Sequence, residues 1–155
     1  MTVIRTFKRS ESEEQRLLFE WAALMEGRHP DLKLLYAVPN GGKRHIKTAI
    51  ALKAEGVKPG VPDLCLPVAR QGYHGLYIEM KSAKGRTSET QDWWLKELNE
   101  QLFLARVCRS FEEARDLILD YLNGKLAMRV KDELNSAIVA KYKPELEKIY
   151  HNGKA

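Results

Sequence analysis

Two short segments, each bounded by turn-forming residues, most strongly constrain the fold of this chain. Residues 59–62, Pro-Gly-Val-Pro, keep the backbone out of a helix and lead into a short apolar strand over 63–66. Over residues 75–81 apolar and polar side chains alternate, a pattern typical of a strand that buries one face. A turn around Gly72 leaves room for the two strands to form a hairpin, which would place Asp63 beside Glu79.

Helical periodicity and capping residues flank this hairpin on both sides. Ser10 and Glu13 have the spacing of a capping box, and apolar residues then recur at helical intervals until Gly27. The same signals predict helices over 44–55, 89–101 and 111–122 and short strands over 34–38 and 103–108. This order of elements predicts an α/β domain over residues 1–124, in which helices flank a small central mixed sheet.

Composition excludes several classes of protein. The chain has 155 residues, the length of one ordinary domain, and its 44% hydrophobic and 30% charged residues are globular values. No apolar run approaches the ~18–20 residues that a membrane span needs, and the first residues do not resemble a secretory signal. Two cysteines are too few for a disulfide framework or a thiolate zinc site. We therefore expect a cytoplasmic protein of a bacterial or phage-infected cell, without a membrane partner.

Several catalytic motifs are missing from the sequence. It contains no GxxxxGK[ST] phosphate loop, no GxSxG elbow, no CxxC pair and no HExxH helix. The four histidines are scattered along the chain. These absences argue against a nucleotide cofactor, a serine esterase and a zinc hydrolase.

The basic residues are clustered. The chain carries 26 lysines and arginines against 21 acidic residues, a net charge of +5. Residues 41–60 hold five basic residues and one acidic residue, and residues 81–86 hold three basic residues and no acidic one. Such clusters suit a polyanion such as nucleic acid, although a solvated surface would carry the same charges.

The hairpin would bring two carboxylates and an ammonium group into one site. Glu79 and Lys81 are two residues apart in a strand, so their side chains leave the same face, and Asp63 lies on the neighbouring strand. Paired carboxylates are hard oxygen ligands that suit Mg²⁺ or Mn²⁺. A lysine beside them can orient water or stabilise negative charge on a phosphodiester. Alternatively, Asp63 caps a turn, and Glu79 and Lys81 are ordinary exposed strand residues.

At these residues the chain resembles a known family. Val61-Pro62-Asp63 followed by Ile78-Glu79-Met80-Lys81 is similar to the PD-(D/E)xK nuclease signature. The surrounding segments resemble the VRR-NUC domain, the virus-type replication-repair branch of that superfamily, and arrive in its order: residues 38–42, VPNGG; 56–64, GVKPGVPDL; 75–81, GLYIEMK; and Ser88 with Gln91 on a helix that carries Trp94. The similarity covers about residues 10–122.

The resemblance implies a restriction-endonuclease-like core and a metal-dependent endonuclease that acts on DNA. By position, Asp63 and Glu79 would be metal ligands, assisted by the backbone carbonyl of Met80. Lys81 would be the catalytic lysine, and Gln91 the glutamine on the following helix.

The family also places a glutamate on the first helix. Extending the apolar stripe of that helix backwards reaches Glu11, while Glu14 lies beside Leu18 and Trp21. We favour Glu11 as the catalytic and metal-binding residue, with Glu14 as the alternative.

Residues that could contact DNA lie in the basic clusters. Asn40, Gly41 and Gly42 would let a DNA backbone approach closely, although they could equally form a tight turn. The set of candidate phosphate contacts is Lys43, Arg44, Lys47, Lys84 and Arg86.

The chain departs from the family pattern in two places. Gln101-Leu102 stands before the last strand, where we expect a glycine turn. Residues 125–155 lie beyond the resemblance and carry seven basic and four acidic residues. We predict that they form a helical extension that packs on the domain or on a dimer partner, because Leu134, Ile138 and Leu146 require burial.

The function predicted from the sequence is Mg²⁺- or Mn²⁺-dependent cleavage of DNA by a structure-selective endonuclease. Stand-alone members of the family resemble Holliday junction resolvases, and a symmetric junction is best cut by a homodimer with two active sites. Flap or nick cleavage, sequence-specific cleavage of duplex DNA, and non-catalytic DNA binding on a nuclease fold are the alternatives.

Overall fold

The computed structural model describes residues 9–39 and 46–126 of the chain. Its helices are α1 (Glu11–Met25), α2 (Ile46–Ala54), α3 (Glu89–Glu100) and α4 (Phe111–Leu122), with one 3-10 turn at Pro30–Leu34. Its strands are β1 (Tyr36–Ala37), β2 (Leu64–Leu66), β3 (Leu76–Met80) and β4 (Leu104–Cys108). None of the helices within these ranges is long and apolar enough to cross a bilayer.

The four strands form one mixed sheet in the order β1-β2-β3-β4. The β1–β2 and β2–β3 pairs are antiparallel, and the β3–β4 pair is parallel. Helix α3 provides the crossover that a parallel pair requires. The predicted α/β class, with helices around a small mixed sheet, is therefore confirmed.

The core lies between one face of the sheet and helices α1 and α4. The apolar residues of β3 contribute to it, since Leu76, Ile78 and Met80 are each 1% exposed and belong to the same buried cluster as Leu18 of α1 and Ile118 of α4. These strand residues alternate with Tyr77 and Glu79, so Glu79 leaves the other face of the strand. Packing of both helices against β3 therefore fixes the strand that carries Glu79 and precedes Lys81.

Two predicted elements differ from the observed ones. The strand expected over 34–38 is shortened to Tyr36–Ala37, because Pro30 opens a 3-10 turn that runs through Leu34. The helix expected over 44–55 is observed from Ile46 to Ala54, and its first two residues fall outside the described ranges.

The predicted extension is described only at its start. Leu126 is buried in the core, and its backbone N–H donates to the Gln71 side-chain carbonyl over 3.1 Å. Residues 127–155 lie outside the described part of the chain, so the predicted helical extension stays a prediction.

Leu102 occupies the left-handed backbone region where the sequence pattern calls for glycine. Its φ is +61°, whereas side-chain-bearing residues rarely adopt positive values. The turn is held by backbone hydrogen bonds, including one of 2.8 Å from the His74 N–H to the Leu102 carbonyl. The departure from the family pattern at this position therefore leaves the turn in place and carries strain.

We predict that Leu102→Gly stabilises the protein. The left-handed conformation costs leucine about 1–2 kcal/mol, and glycine avoids this cost. Glycine in turn lowers stability by about 0.4–1 kcal/mol, because its unfolded chain has more conformational freedom to lose on folding. Because Leu102 is 56% exposed, little packing is lost. Urea denaturation should show a free energy of unfolding higher by about 0.5–1 kcal/mol.

Gln71→Gly is the matched control, because Gln71 also has a positive φ, +54°. Its amide donates to the Tyr121 carbonyl over 2.6 Å and accepts from the Leu126 N–H, so the variant loses side-chain hydrogen bonds. We expect it to be destabilised. A loss of stability in Leu102→Gly would contradict the assignment of strain to this turn.

Candidate active site

The β2–β3 hairpin brings Asp63 next to Glu79. Leu64 pairs with Ile78 in the antiparallel ladder, and continuing this register by one residue sets Asp63 opposite Glu79. The Asp63 carboxylate (Oδ2) accepts a 2.8 Å hydrogen bond from the Met80 backbone N–H. This bond locks the aspartate onto the strand that carries the second acid.

Glu79 is a buried carboxylate with one satisfied and one unsatisfied oxygen. Only 1% of the residue is exposed. Its Oε1 accepts from the Lys81 ammonium (Nζ) over 2.9 Å and from the Gln91 side-chain amide. Its Oε2 is buried and has no hydrogen-bond partner in the described part of the chain. The alternative that Glu79 is an ordinary exposed strand residue is therefore wrong.

Burial raises the pKa values of both acids. For Glu79, burial is the main cause, and the neighbouring Asp63 charge adds to it; together they outweigh Lys81 and raise the pKa to about 7. For Asp63, burial also raises the pKa, although the Met80 N–H and the Lys81 charge oppose the shift. A cation close to both carboxylates would stabilise their ionised forms, which burial and their mutual repulsion disfavour.

Lys81 stays protonated in this environment. Partial burial pulls its pKa down, but the hydrogen bond and charge of Glu79, with the charges of Glu11 and Asp63, outweigh burial and raise the pKa. At neutral pH the side chain is therefore an ammonium, which donates hydrogen bonds and cannot accept a proton.

Gln91 connects the start of α3 to Glu79. Its Oε1 accepts from the Ser88 N–H over 2.9 Å, and the Ser88 hydroxyl accepts from the Gln91 N–H, which completes a capping box. Its amide nitrogen is thereby directed at Glu79 Oε1. Gln91 acts through Glu79 in this geometry and is a positioning residue.

The loop before Asp63 packs tightly against the same helix. The Trp94 indole N–H donates to the Pro59 carbonyl over 3.0 Å. Gly60 has a φ of +85°, and a Cβ there would lie 2.7 Å from the Thr90 methyl group and 2.9 Å from its backbone. A side chain at residue 60 would therefore push α3, and Gln91 with it, away from the strands.

The two candidate glutamates of α1 have different surroundings. Glu11 Oε1 accepts from the Ser82 N–H over 2.9 Å, just after Lys81, and its charge acts on both strand acids. Glu14 is buried elsewhere: its carboxylate accepts from the Phe111 N–H over 2.7 Å and pairs with Arg9 at 3.3 Å. The structure brings Glu11 to the site and leaves Glu14 at the start of α4.

The loop after Lys81 is held by a residue that the sequence analysis missed. The Arg109 guanidinium (Nη1) donates to the Ser82 carbonyl over 3.1 Å and to the Gly85 carbonyl over 2.6 Å. Lys84 and Arg86, two of the predicted DNA contacts, are exposed on this loop. No local pattern could reveal Arg109, since it lies 24 residues from Gly85 in the chain.

The other predicted DNA contacts are not described. Residues 40–44, which include Asn40, Gly41, Gly42, Lys43 and Arg44, lie outside the described ranges. Lys47 is placed in α2, but its side chain is also outside them. Their proposed roles stay predictions.

The site residues fit a hard divalent cation. The donors are two carboxylates, and the buried Glu79 Oε2 is an acceptor that the described residues leave without a donor. Within those residues, no three His, Cys, Asp or Glu side chains converge closely enough to hold an ion by themselves. Further ligands would have to come from the Met80 carbonyl, water and the substrate, as is usual for Mg²⁺.

Comparison with known proteins agrees with this geometry. The VRR-NUC domain family matches residues 3–112, and the chain belongs to that family. A solved structure of a VRR_NUC domain protein has 25% sequence identity to this chain and a TM-score of 0.65; the match covers 75% of this chain and 90% of that one. No curated protein is similar enough to count as a match. The chain therefore has a nuclease fold of the PD-(D/E)xK type, for which DNA is the implied substrate and divalent metals are the usual cofactors.

We predict that Glu79 makes the metal-free protein lose stability as the pH rises. Its pKa is about 7 in the folded state, against an ordinary 4.5, so the native state holds this proton more tightly than the unfolded state. The stabilisation is complete below about pH 4.5 and is lost as the pH rises through about 7. As the pH rises across this interval, the free energy of unfolding of Glu79→Gln should increase by on the order of 3 kcal/mol relative to that of wild type. Urea denaturation in EDTA measures this difference.

Glu100→Gln is the control for this pH dependence, because Glu100 is an exposed helix acid paired with Lys96 at 3.5 Å. Its stability profile should run parallel to that of wild type. A parallel profile for Glu79→Gln as well would contradict the raised pKa.

We predict that Glu14 contributes more to the free energy of unfolding than Glu11 does. Glu14→Ala removes a buried carboxylate bound to a backbone N–H and to Arg9, which should lower the free energy of unfolding by about 2 kcal/mol. Glu11→Ala removes one exposed hydrogen bond and should cost less than about 1 kcal/mol. Thermal and urea denaturation measure both; a larger loss in Glu11→Ala would contradict the assignment of Glu14 to the fold.

Proposed function

We propose that this protein is a Mg²⁺- or Mn²⁺-dependent endodeoxyribonuclease that hydrolyses phosphodiester bonds in branched DNA. The observation that carries the proposal is the buried Glu79 carboxylate, whose second oxygen has no donor in the described residues and which stands opposite Asp63. Burying an incompletely bonded acid beside another acid is costly to a fold, because loss of hydration and repulsion between the two charges both disfavour the ionised forms. A divalent cation between them removes the repulsion.

Asp63, Glu79 and the Met80 carbonyl would hold the metal. Glu11 stays a predicted further ligand from α1, although it does not converge with the two strand acids into a three-carboxylate site in the described residues. When bound, the ion supplies positive charge at the scissile phosphate and acidifies a coordinated water. Gln91 and Lys81 both bind Glu79 Oε1, which leaves Oε2 as the oxygen available to the ion.

Lys81 would stabilise the charge that develops on the phosphate. Despite partial burial, its carboxylate neighbours raise its pKa, so in the metal-free protein it is an ammonium that donates hydrogen bonds. Glu79 fixes the direction of the Lys81 ammonium group, and Gln91 in turn fixes Glu79. Donors held in this way toward developing charge are the usual source of large rate effects in enzymes.

Basic residues beside the site would bind the DNA backbone. Lys84 and Arg86 are exposed on the loop that follows β3 and that Arg109 holds. We include residues 40–44 and Lys47 in this surface because they supply the other basic cluster next to the site in sequence. Affinity from such contacts falls as the salt concentration rises.

We further propose Holliday junction resolvase-like selectivity and a homodimer, in which residues 125–155 pack on the domain or on the partner. Two active sites related by two-fold symmetry match a symmetric junction. The protein would act in the cytoplasm of a bacterial or phage-infected cell.

Cleavage of a labelled DNA panel tests the proposal. Single-stranded, duplex, 5′-flap, 3′-flap and four-way junction DNA are incubated with Mg²⁺, Mn²⁺ or EDTA. We expect cleavage only with metal and fastest on branched DNA. Asp63→Ala and Lys81→Met should each lower kcat by at least about 100-fold, the size of effect seen when one preorganised electrostatic group is removed.

Glu14→Gln is the matched control, because it keeps the side-chain size and lies outside the site; its folded fraction should cleave as wild type does. Cleavage confined to flaps by a monomer in sedimentation would favour the flap alternative, and cutting of one duplex sequence would favour a restriction-like enzyme. DNA binding without cleavage, unchanged in Asp63→Ala, would contradict the nuclease function.

A further inference from the structure

A groove of about 800 Å³ leads away from the proposed metal site between α1 and the end of β1. One end is formed by Asp63, Met80 and Glu11, which belong to the site already described. The rest of the groove is formed by α1 and by residues 37–39. Its continuity with Asp63 means that a strand cut at the metal would pass along it.

One wall of the groove is a single face of α1. Glu11, Gln15 and Phe19 follow each other at intervals of four residues, so they lie on one side of the helix, with Arg16 at its edge. From Glu11 to Phe19 the helix rises about 12 Å, at 1.5 Å per residue, which is long enough for a short run of nucleotides. From the metal end outwards, the side chains of this wall are first a carboxylate, then an amide, a guanidinium group and an aromatic ring.

The opposite wall is apolar and fixed to the site. It consists of Ala37, the last residue of the short strand β1, and of Val38 and Pro39, which follow it. The Val38 N–H donates to the Asp63 carbonyl over 2.7 Å, so this wall is held at the same residue that would bind the metal. An aromatic ring on one wall and aliphatic side chains on the other form a slot for a flat apolar surface.

We infer that this groove binds an unpaired nucleotide next to the scissile phosphate. Its volume is that of a small-molecule pocket, which is enough for a nucleotide or two of a single strand. The half-buried Phe19 ring offers a stacking surface for a base, and Arg16 is exposed at the rim where the next phosphate would lie. The inference rests on the proposed function and deepens it: among branched substrates it favours a flap, which supplies an unpaired nucleotide beside an intact duplex, over a four-way junction whose bases are all paired.

Binding in EDTA tests the groove separately from catalysis. Fluorescence anisotropy compares a flap with an unpaired strand and a duplex of the same sequence, each labelled at the far end. We expect wild type to prefer the flap. Phe19→Leu keeps the aliphatic packing of α1 and removes the stacking surface, so it should weaken flap binding about 5- to 100-fold and leave duplex binding within about twofold. Arg16→Gln should reduce the salt dependence of flap binding by about one phosphate contact.

Two controls separate the groove from general effects on α1. Trp21→Leu removes a half-buried aromatic ring of the same helix, which packs on Phe111 outside the groove. Arg28→Gln removes an exposed charge beyond the C-terminal end of α1. Neither should change the preference for the flap.

The outcomes distinguish this inference from the proposed function. Loss of the flap preference in Phe19→Leu but not in Trp21→Leu supports the groove, even if wild type cleaves no substrate and the nuclease proposal fails. Metal-dependent cleavage by wild type, with the same flap preference in Phe19→Leu and Arg16→Gln, would overturn the groove and leave the nuclease proposal standing.

Discussion

The architecture of this site depends on one incompletely satisfied acid. Glu79 is inside the protein, and only one of its oxygens is engaged, by Lys81 and Gln91. Burial makes this carboxylate costly to ionise despite its contact with Lys81, and its pKa rises to about 7 as a result. The helix packing that buries β3 and the capping of α3 both contribute to holding this charge where it is. In the metal-free protein the site therefore holds a buried carboxylate oxygen without a donor in the described residues, and under the proposed function a divalent cation would bind it.

Ordinary structural interactions position the site. The antiparallel register sets Asp63 opposite Glu79, and a capping box that any helix could use directs the amide of Gln91. Glu11 approaches because α1 begins beside the loop after Lys81, which Arg109 closes from the other side. The strand register and the α3 cap serve the fold and the site together, whereas the exposed Glu11 contact adds little to stability.

Much of this arrangement was predictable from local sequence, and the remainder was not. Strand alternation and turn residues predicted the hairpin, and serine caps predicted the starts of α1, α3 and α4, because these signals act within a few residues. The length of β1 was overestimated, since a 3-10 turn competes for Leu34. The periodicity of α1 already favoured Glu11 over Glu14, because the apolar stripe extends back to Glu11. The part played by Arg109 and the α1 groove depend on residues far apart in sequence, and periodicity carries no information about such contacts.

The most direct test of the account is anomalous diffraction from crystals soaked in Mn²⁺. The account predicts one strong peak between Asp63 and Glu79, about 2.0–2.2 Å from carboxylate oxygens that include Glu79 Oε2, and no peak in crystals of Asp63→Ala. A saturated soak without density there, or with Mn²⁺ bound only at exposed acids elsewhere, would contradict the claim that Glu79 is buried to hold a metal.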